Sequence, residues 1–380
     1  MNVPKLRFPA FDSEWKYYLF DDIVNIKSKS YNPNNKIEYK CIELEHINQK
    51  NGTINGFCNS IEQKSNKNFF SKGDILFGKL RPYLKKYWYA TFDGVCSSEI
   101  WVAKSKNENI IINKFIYDIF QSHYFLQLCN LSTGSKMPRA DWSFIKEQSV
   151  AIPSVNEQQM ISDTIELLEK RIELQNNKID KLKLFREGLV ENLISKEYPL
   201  INLKKILKER KLYSEKGLEY PHVTLSKDGI YDKGDRYNRD FLVKSDDKKY
   251  KITKLNDLCY NPANLKFGVI CLNEYGSAIF SPIYVTFEID KEVNPKYIKY
   301  YTMRNNFINA VRKYEQGTVY ERMSVSPEDF LRFDIKLPDR KTQDEIVNKI
   351  DLLDNKINLE SKLLEELELL KKGLMQNMFV

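Results

Sequence analysis

The chain has 380 residues, 42% of them hydrophobic and 29% charged, the composition of a water-soluble globular protein with room for two ordinary domains. No apolar run approaches the ~18 residues of a membrane-crossing helix. The opening Met1-Asn2-Val3-Pro4-Lys5 lacks the apolar core of a secretion signal, so a cytoplasmic location is expected. Six scattered cysteines without a C-x-x-C pair, and three histidines far apart (His46, His123, His222), offer none of the spaced ligand sets of a metal site.

The first block, residues 1–153, opens on a strand signal, Trp15-Lys16-Tyr17-Tyr18-Leu19 ahead of Ile23. A second strand, Lys72-Gly73-Asp74-Ile75-Leu76-Phe77, leads into Lys79-Leu80-Arg81-Pro82-Tyr83-Leu84-Lys85-Lys86-Tyr87-Trp88, where basic and aromatic residues interleave. Val95-Cys96-Ser97-Ser98 and a short helix from Asn113 to Tyr117 follow, then the Gly134 turn with Ser135-Lys136-Met137-Pro138-Arg139. A closing strand ends at Ile152-Pro153, and a long helix occupies 154–195.

The second block, 196–338, retraces that order, and a second long helix, 339–380, ends the chain. Pro199-Leu200-Ile201-Asn202-Leu203 stands for the opening strand, Leu255 to Tyr260 and Ile279-Phe280-Ser281-Pro282 for the middle strands, and Asn294 to Ile298 for the short helix. Its basic-aromatic segments are Tyr231 to Arg239, with Lys233, Arg236, Tyr237 and Arg239, and Asn264-Leu265-Lys266-Phe267, with Arg304, Arg312, Lys313, Tyr320 and Arg322 nearby.

The repeat is sharpest in the helices. Residues 148–195 set over 333–380, at an offset of 185 without a gap, give 13 identities, where unrelated sequence would give roughly 3. They include Pro153 and Pro338, Gln158 and Gln343, and Gly188 and Gly373. Alternating steps of four and three residues pick out Ile161, Ile165, Leu168, Ile172, Ile179, Leu182, Leu189 and Leu193, a coiled-coil seam. The same walk gives Ile346, Ile350, Leu353, Ile357, Leu364, Leu367, Leu374 and Met378. Its polar interruptions coincide, Gln175 with Glu360 and Arg186 with Lys371. Since each helix leaves one block, a pair packed within one chain must be antiparallel, which predicts an α+β dumbbell of two heads with a pseudo-two-fold repeat.

Charge separates heads from helices. Residues 1–150 carry 21 Lys+Arg against 15 Asp+Glu and residues 196–338 carry 26 against 20, so each block is +6. The helical pieces, 6 against 8 and 7 against 9, are each −2. A phosphate backbone is the natural complement of the blocks. The candidate DNA-contacting residues are Lys79, Arg81, Tyr83, Lys85, Lys86, Lys136 and Arg139 in the first block and Lys233, Arg236, Tyr237, Arg239, Lys266, Arg312, Tyr320 and Arg322 in the second. Arginine can take guanine by two hydrogen bonds, whereas lysine more often positions phosphate.

No catalytic set accompanies them. There is no phosphate-binding G-x-x-x-x-G-K-[ST] loop, Asn261-Pro262-Ala263-Asn264 lacks the second proline and aromatic of an amino-methyltransferase loop, and Glu38-Tyr39-Lys40 is an isolated triplet. Binding without catalysis, and no metal, is expected of this chain.

Over its whole length the chain resembles a specificity subunit of a type I restriction-modification system. The likeness rests on Val3-Pro4-Lys5-Leu6-Arg7-Phe8 with Trp15, Gly73 to Phe77 with Lys79-Leu80-Arg81-Pro82, the closing Ile152-Pro153 and Leu337-Pro338, and the helix starts Glu157-Gln158-Gln159 and Thr342-Gln343-Asp344-Glu345. Ser135 to Arg139 departs from it in being richer in charge. The resemblance implies two target-recognition domains, each reading half of an asymmetric bipartite DNA site, with the antiparallel helices fixing the gap. It implies two modification subunits that hold S-adenosylmethionine and methylate adenine at N6, and restriction subunits that use ATP and Mg²⁺, with no cofactor on this chain. The competing reading is a stand-alone sequence-specific DNA-binding or architectural protein without a methyltransferase partner.

Overall fold

The structure is a computed structural model in which residues 3–35, 37–131, 138–214, 219–227, 229–232, 249–314 and 324–379 are described. It divides into two compact units, residues 1–178 with 360–380, and residues 179–359. Each unit holds one α+β block and part of both long helices, Val155–Ile194 and Arg340–Asn377. No helix among the described residues is long and apolar enough to cross a membrane.

In the first unit the opening strand Lys16–Leu19 pairs antiparallel with the closing strand Ser149–Ile152, Lys16 facing Ile152. The pair ties the two ends of the block together where the long helix departs. Between them lie a four-stranded sheet, ordered Val24–Asn25, Ile100–Ser105, Ile75–Gly78, Tyr87–Tyr89, and a five-stranded one. Strands Ile75–Gly78 and Gly94–Ser97 are buried at every residue, the first as its unbroken apolar run requires. Helices Asn113–Gln121 and His123–Leu131 close the core, with Phe120 stacked on Phe125 at 4.1 Å between ring centroids.

The second unit repeats this plan. Leu200–Asn202 pairs with Asp334–Lys336, and the four-stranded sheet runs Leu207–Glu209, Val285–Ile289, Leu258–Tyr260, Ile270–Leu272. Helices Pro295–Thr302 and Asn305–Val311 stand where the first unit has its own pair.

Inside each unit the long helices are antiparallel. Ile161 and Ile165 share one core with Met375 and Met378, while Val190, Leu193 and Ile194 share another with Ile346, Val347 and Ile350. Leu168, Ile179, Leu353, Ile357 and Leu367 are also buried; Ile172, Leu182, Leu189, Leu364 and Leu374 are half-buried. The polar interruptions are paired in an orderly way. Gln175 Nε2 donates to the carbonyl and to Oε2 of its own equivalent, Glu360, each at 2.8 Å. Arg186 instead holds Asp354, and Lys371 holds Glu169 at 2.7 Å. Glu169 and Asp354 are themselves equivalents at the 185 offset, so one ion pair is written twice.

The recurring glutamine fastens each helix to its block. Gln158 Oε1 accepts from the Ile112 N–H at 3.0 Å, and its Nε2 donates to the Ile110 and Pro153 carbonyls at 2.8 and 2.9 Å. Gln343 does the same with the Asn294 N–H and the Pro338 carbonyl, both at 2.8 Å. The first unit adds a charged anchor at this helix start: Arg7 forks onto Glu157 at 2.7 and 2.8 Å, and Trp15 Nε1 donates to the same carboxylate at 3.3 Å. That contact explains why the N-terminal segment and Trp15 stand out in sequence. Thr342 occupies the equivalent position in the second unit.

Asp118, fully buried, accepts from Ser162 Oγ at 2.5 Å. Burial pushes its carboxyl well above the ordinary 3.8, reinforced by Glu169 and opposed by Ser162, Lys114 and Lys371. The folded state therefore holds this proton more tightly than the unfolded one. The resulting stability is present below the unfolded value and is lost as pH rises through the raised folded value. Asp118→Asn is expected to flatten that decline, so that its melting temperature gains on that of the wild type as pH rises. Melting curves at several pH values check this; an unchanged slope counts against it.

Candidate nucleic-acid interface

The first-block candidates converge. The strand Ile75–Gly78 ends in a loop that turns once at Pro82–Leu84 and returns as Tyr87–Tyr89. Arg81 and Tyr83 on this loop are exposed, Lys79, Lys85 and Lys86 half-buried. Arg139 joins them through backbone: the Arg81 N–H donates to the Pro138 carbonyl at 2.7 Å and the Ala140 N–H to the Lys79 carbonyl at 2.8 Å. The loop and the segment at 138–140, far apart in sequence, thus form one surface. Within it Lys86 is an anchor, its Nζ bonded to the Leu44 carbonyl, while Arg139 Nη2 lies 2.8 Å from Glu99.

In the second block Lys266 lies on the single turn Leu265–Phe267, closed by Gly268 at φ +79°, a left-handed position that strains any side chain. Lys266 Nζ sits 5.2 Å from the ring centre of Phe267, which is exposed. The turn packs on helix Asn305–Val311, whose C-cap is Arg312. Arg304, by contrast, turns toward the long helix, 3.4 Å from Glu191 and stacked on Tyr301. Lys136, Lys233, Arg236, Tyr237, Arg239, Tyr320 and Arg322 lie outside the described residues.

Sequence reasoning missed Lys50 and Glu99. Lys50 meets the loop by donating its N–H to the Lys85 carbonyl at 2.9 Å, and the Glu99 carbonyl takes the Lys79 N–H at 3.0 Å. Neither sits in a basic-aromatic run, and no spacing rule links positions so far from residues 79–86.

Residues 12–184 match a family described as the type I restriction modification DNA specificity domain. The chain is 25% identical over 193 residues to the type I restriction enzyme EcoDI specificity subunit of Escherichia coli, covering 50% of this chain and 43% of that protein. It is 26% identical over 132 residues to the HindI specificity subunit of Haemophilus influenzae, covering 33% and 28%. Either match thus spans less than half of the relative. Among solved structures, a chain from work on assembly and conformational transition of the type I restriction-modification system superposes with a TM-score of 0.63, at 14% identity over 95% of this chain and 96% of that one. The type I S subunit from M. genitalium gives 0.59, at 15% identity over 100% and 99%. At such identities these two likenesses are of fold, and they run through both units. With the matched domain over residues 12–184, the repeated architecture and the named relatives in agreement, this chain is similar to the specificity subunits of type I restriction-modification systems and shares their fold through both units.

Proposed function

We propose that the chain reads a bipartite, asymmetric DNA site, one half by each unit, and directs N6-adenine methylation, and cleavage where restriction subunits join, by partner subunits docked on it. The observation that carries this reading is the repetition of scaffold without repetition of loops. Strand pairing, glutamine brace and helical ion pair recur in both units, while Lys79 to Lys86 and Asn264 to Phe267 share no pattern. Two readers that differ on one scaffold suit a two-part word whose halves differ. The +6 on each block complements phosphate.

Partner docking is supported by a second apolar set on the long helices. Leu167, Leu174, Leu184 and Phe185, and their equivalents Leu352, Leu359, Leu369 and Leu370, are all exposed, by 53% to 70%. Apolar side chains repeated in register on the outer face are what a partner would cover, and two equivalent sets suit two modification subunits. S-adenosylmethionine, ATP and Mg²⁺ then belong to the partners, and the complex works in the cytoplasm beside the DNA.

The test is to map N6-methyladenine across the genome of a host expressing this chain with the modification subunit of its system, against the modification subunit alone. A new two-part motif with a fixed gap, present only with this chain, is expected. No new methylation with an active, soluble partner would instead favour a stand-alone DNA-binding protein.

A further inference from the structure

Four non-glycine residues among those described have left-handed backbone: Lys50 at φ +69°, Arg81 at +52°, Lys85 at +53° and Asn256 at +67°. Three are basic, and these three meet. Arg81 and Lys85 bracket the turn Pro82–Leu84, and Lys50 bonds the Lys85 carbonyl. A Cβ in this conformation crowds the neighbouring carbonyl, so long side chains persist there only where the surroundings over-determine the loop. Here they do. The Gly78 N–H donates to the Lys86 carbonyl at 2.9 Å, the Tyr87 hydroxyl to the Lys50 carbonyl at 2.9 Å, and the Arg81 N–H to Pro138. The result is a stiff rim that presents Arg81, Tyr83 and Arg139 outward.

Glu99 puts a carboxylate into this basic rim. Its Oε2 lies 2.8 Å from Arg139 Nη2 and is buried, without an aligned hydrogen-bond donor, so the contact is charge against charge. Arg139 remains 56% exposed along its side chain and Glu99 29%. Both residues are tied through Lys79, whose N–H meets the Glu99 carbonyl and whose carbonyl takes the N–H beside Arg139. A guanidinium is a planar fork of five donors; with one nitrogen drawn to a carboxylate, the donors of its other nitrogens are left for a second partner.

We propose that Glu99 is a positioning residue for sequence reading: by holding Arg139 at one nitrogen, it aims the remaining edge of the guanidinium at a guanine in the half-site read by the first unit. This rests on the DNA-reading function proposed above. Released from Glu99, Arg139 becomes a mobile cation that takes any phosphate. Glu99 is thus the device that turns charge into base choice.

The experiment is the methylation map repeated with Glu99→Gln, Arg139→Ala, Arg139→Lys and the Glu99→Gln/Arg139→Ala double variant, each with the partner modification subunit. Each is expected to lose about tenfold discrimination at one and the same base position of one half-site, leaving the other half-site unchanged. The double variant is expected to match Arg139→Ala alone, as coupled residues do. Unaltered preference in Arg139→Ala, a different position affected by Glu99→Gln, or methylation lowered equally at all sites would overturn the assignment. Absence of any wild-type motif would overturn the functional reading beneath it, a result distinct from all of these.

Discussion

Replacing Ile350 by aspartate is expected to unfold the second unit. Ile350 has no exposed surface and packs in the core that joins Val190, Leu193 and Ile194 of the first long helix to Ile346 and Val347 of the second. Truncating such a residue costs about 2–5 kcal/mol, and an unpaired buried carboxylate adds several more. That sum approaches the ~5–15 kcal/mol of a whole domain. Leu352, two residues on, is the control: it is 69% exposed, so Leu352→Asp is expected to shift stability by no more than ~0.5 kcal/mol. On the proposed function it should nevertheless weaken docking of a modification subunit. Thermal melting separates the two, and a Leu352→Asp variant that melts with Ile350→Asp would refute the division of each helix into a buried seam and an outer face. Ile172→Asp, at a half-buried seat, is expected to fall between them.

The helices were legible because their signal is periodic and local. Alternating steps of four and three found the buried and half-buried seats, and connectivity, with each helix leaving one block, pointed to an antiparallel pair whose coinciding interruptions Gln175 and Glu360 do meet. Half of that reading needed the structure: Arg186 and Lys371 do not meet each other as Gln175 and Glu360 do, but each takes a carboxylate, Asp354 and Glu169. The repeat of Glu169 as Asp354 was a usable signal, although it is a change of residue and not an identity. The opening and closing strands were visible one by one, yet their pairing, Lys16 with Ile152, closes a loop too long for local pattern to announce.

The rim of the first unit was half legible. Lys79, Arg81, Tyr83 and Arg139 stand in basic-aromatic runs, and backbone bonds bring those runs together. What could not be read is the left-handed backbone at Lys50, Arg81 and Lys85, because the residues that announce such turns are glycine and asparagine and not lysine or arginine. Glu99 was hidden for a related reason: a single acid after a strand has no pattern until the fold sets it against Arg139.

Gln158→Leu is expected to detach the first long helix from its block. The glutamine is wholly buried and serves three backbone groups, the Ile112 N–H and the Ile110 and Pro153 carbonyls. Leucine has nearly the same volume, so packing survives while three polar groups lose their partner without gaining water. At about 1–3 kcal/mol for each buried group left unsatisfied, the loss is roughly 3–6 kcal/mol after partial relaxation. Gln343→Leu, which orphans the Asn294 N–H and the Pro338 carbonyl, is expected to cost about two-thirds as much. Denaturant unfolding gives both values, and hydrogen exchange should show lost protection first at the Ile112 and Asn294 amides. The glutamine recurs because a helix that leaves a block at a proline starts beside a carbonyl and an N–H that nothing else reaches. If Gln158→Leu melted with the wild type, apolar contacts, the Arg7–Glu157 fork and the Ser162–Asp118 hydrogen bond would suffice to hold the helix, and the brace would be an ornament of the repeat and not its fastening.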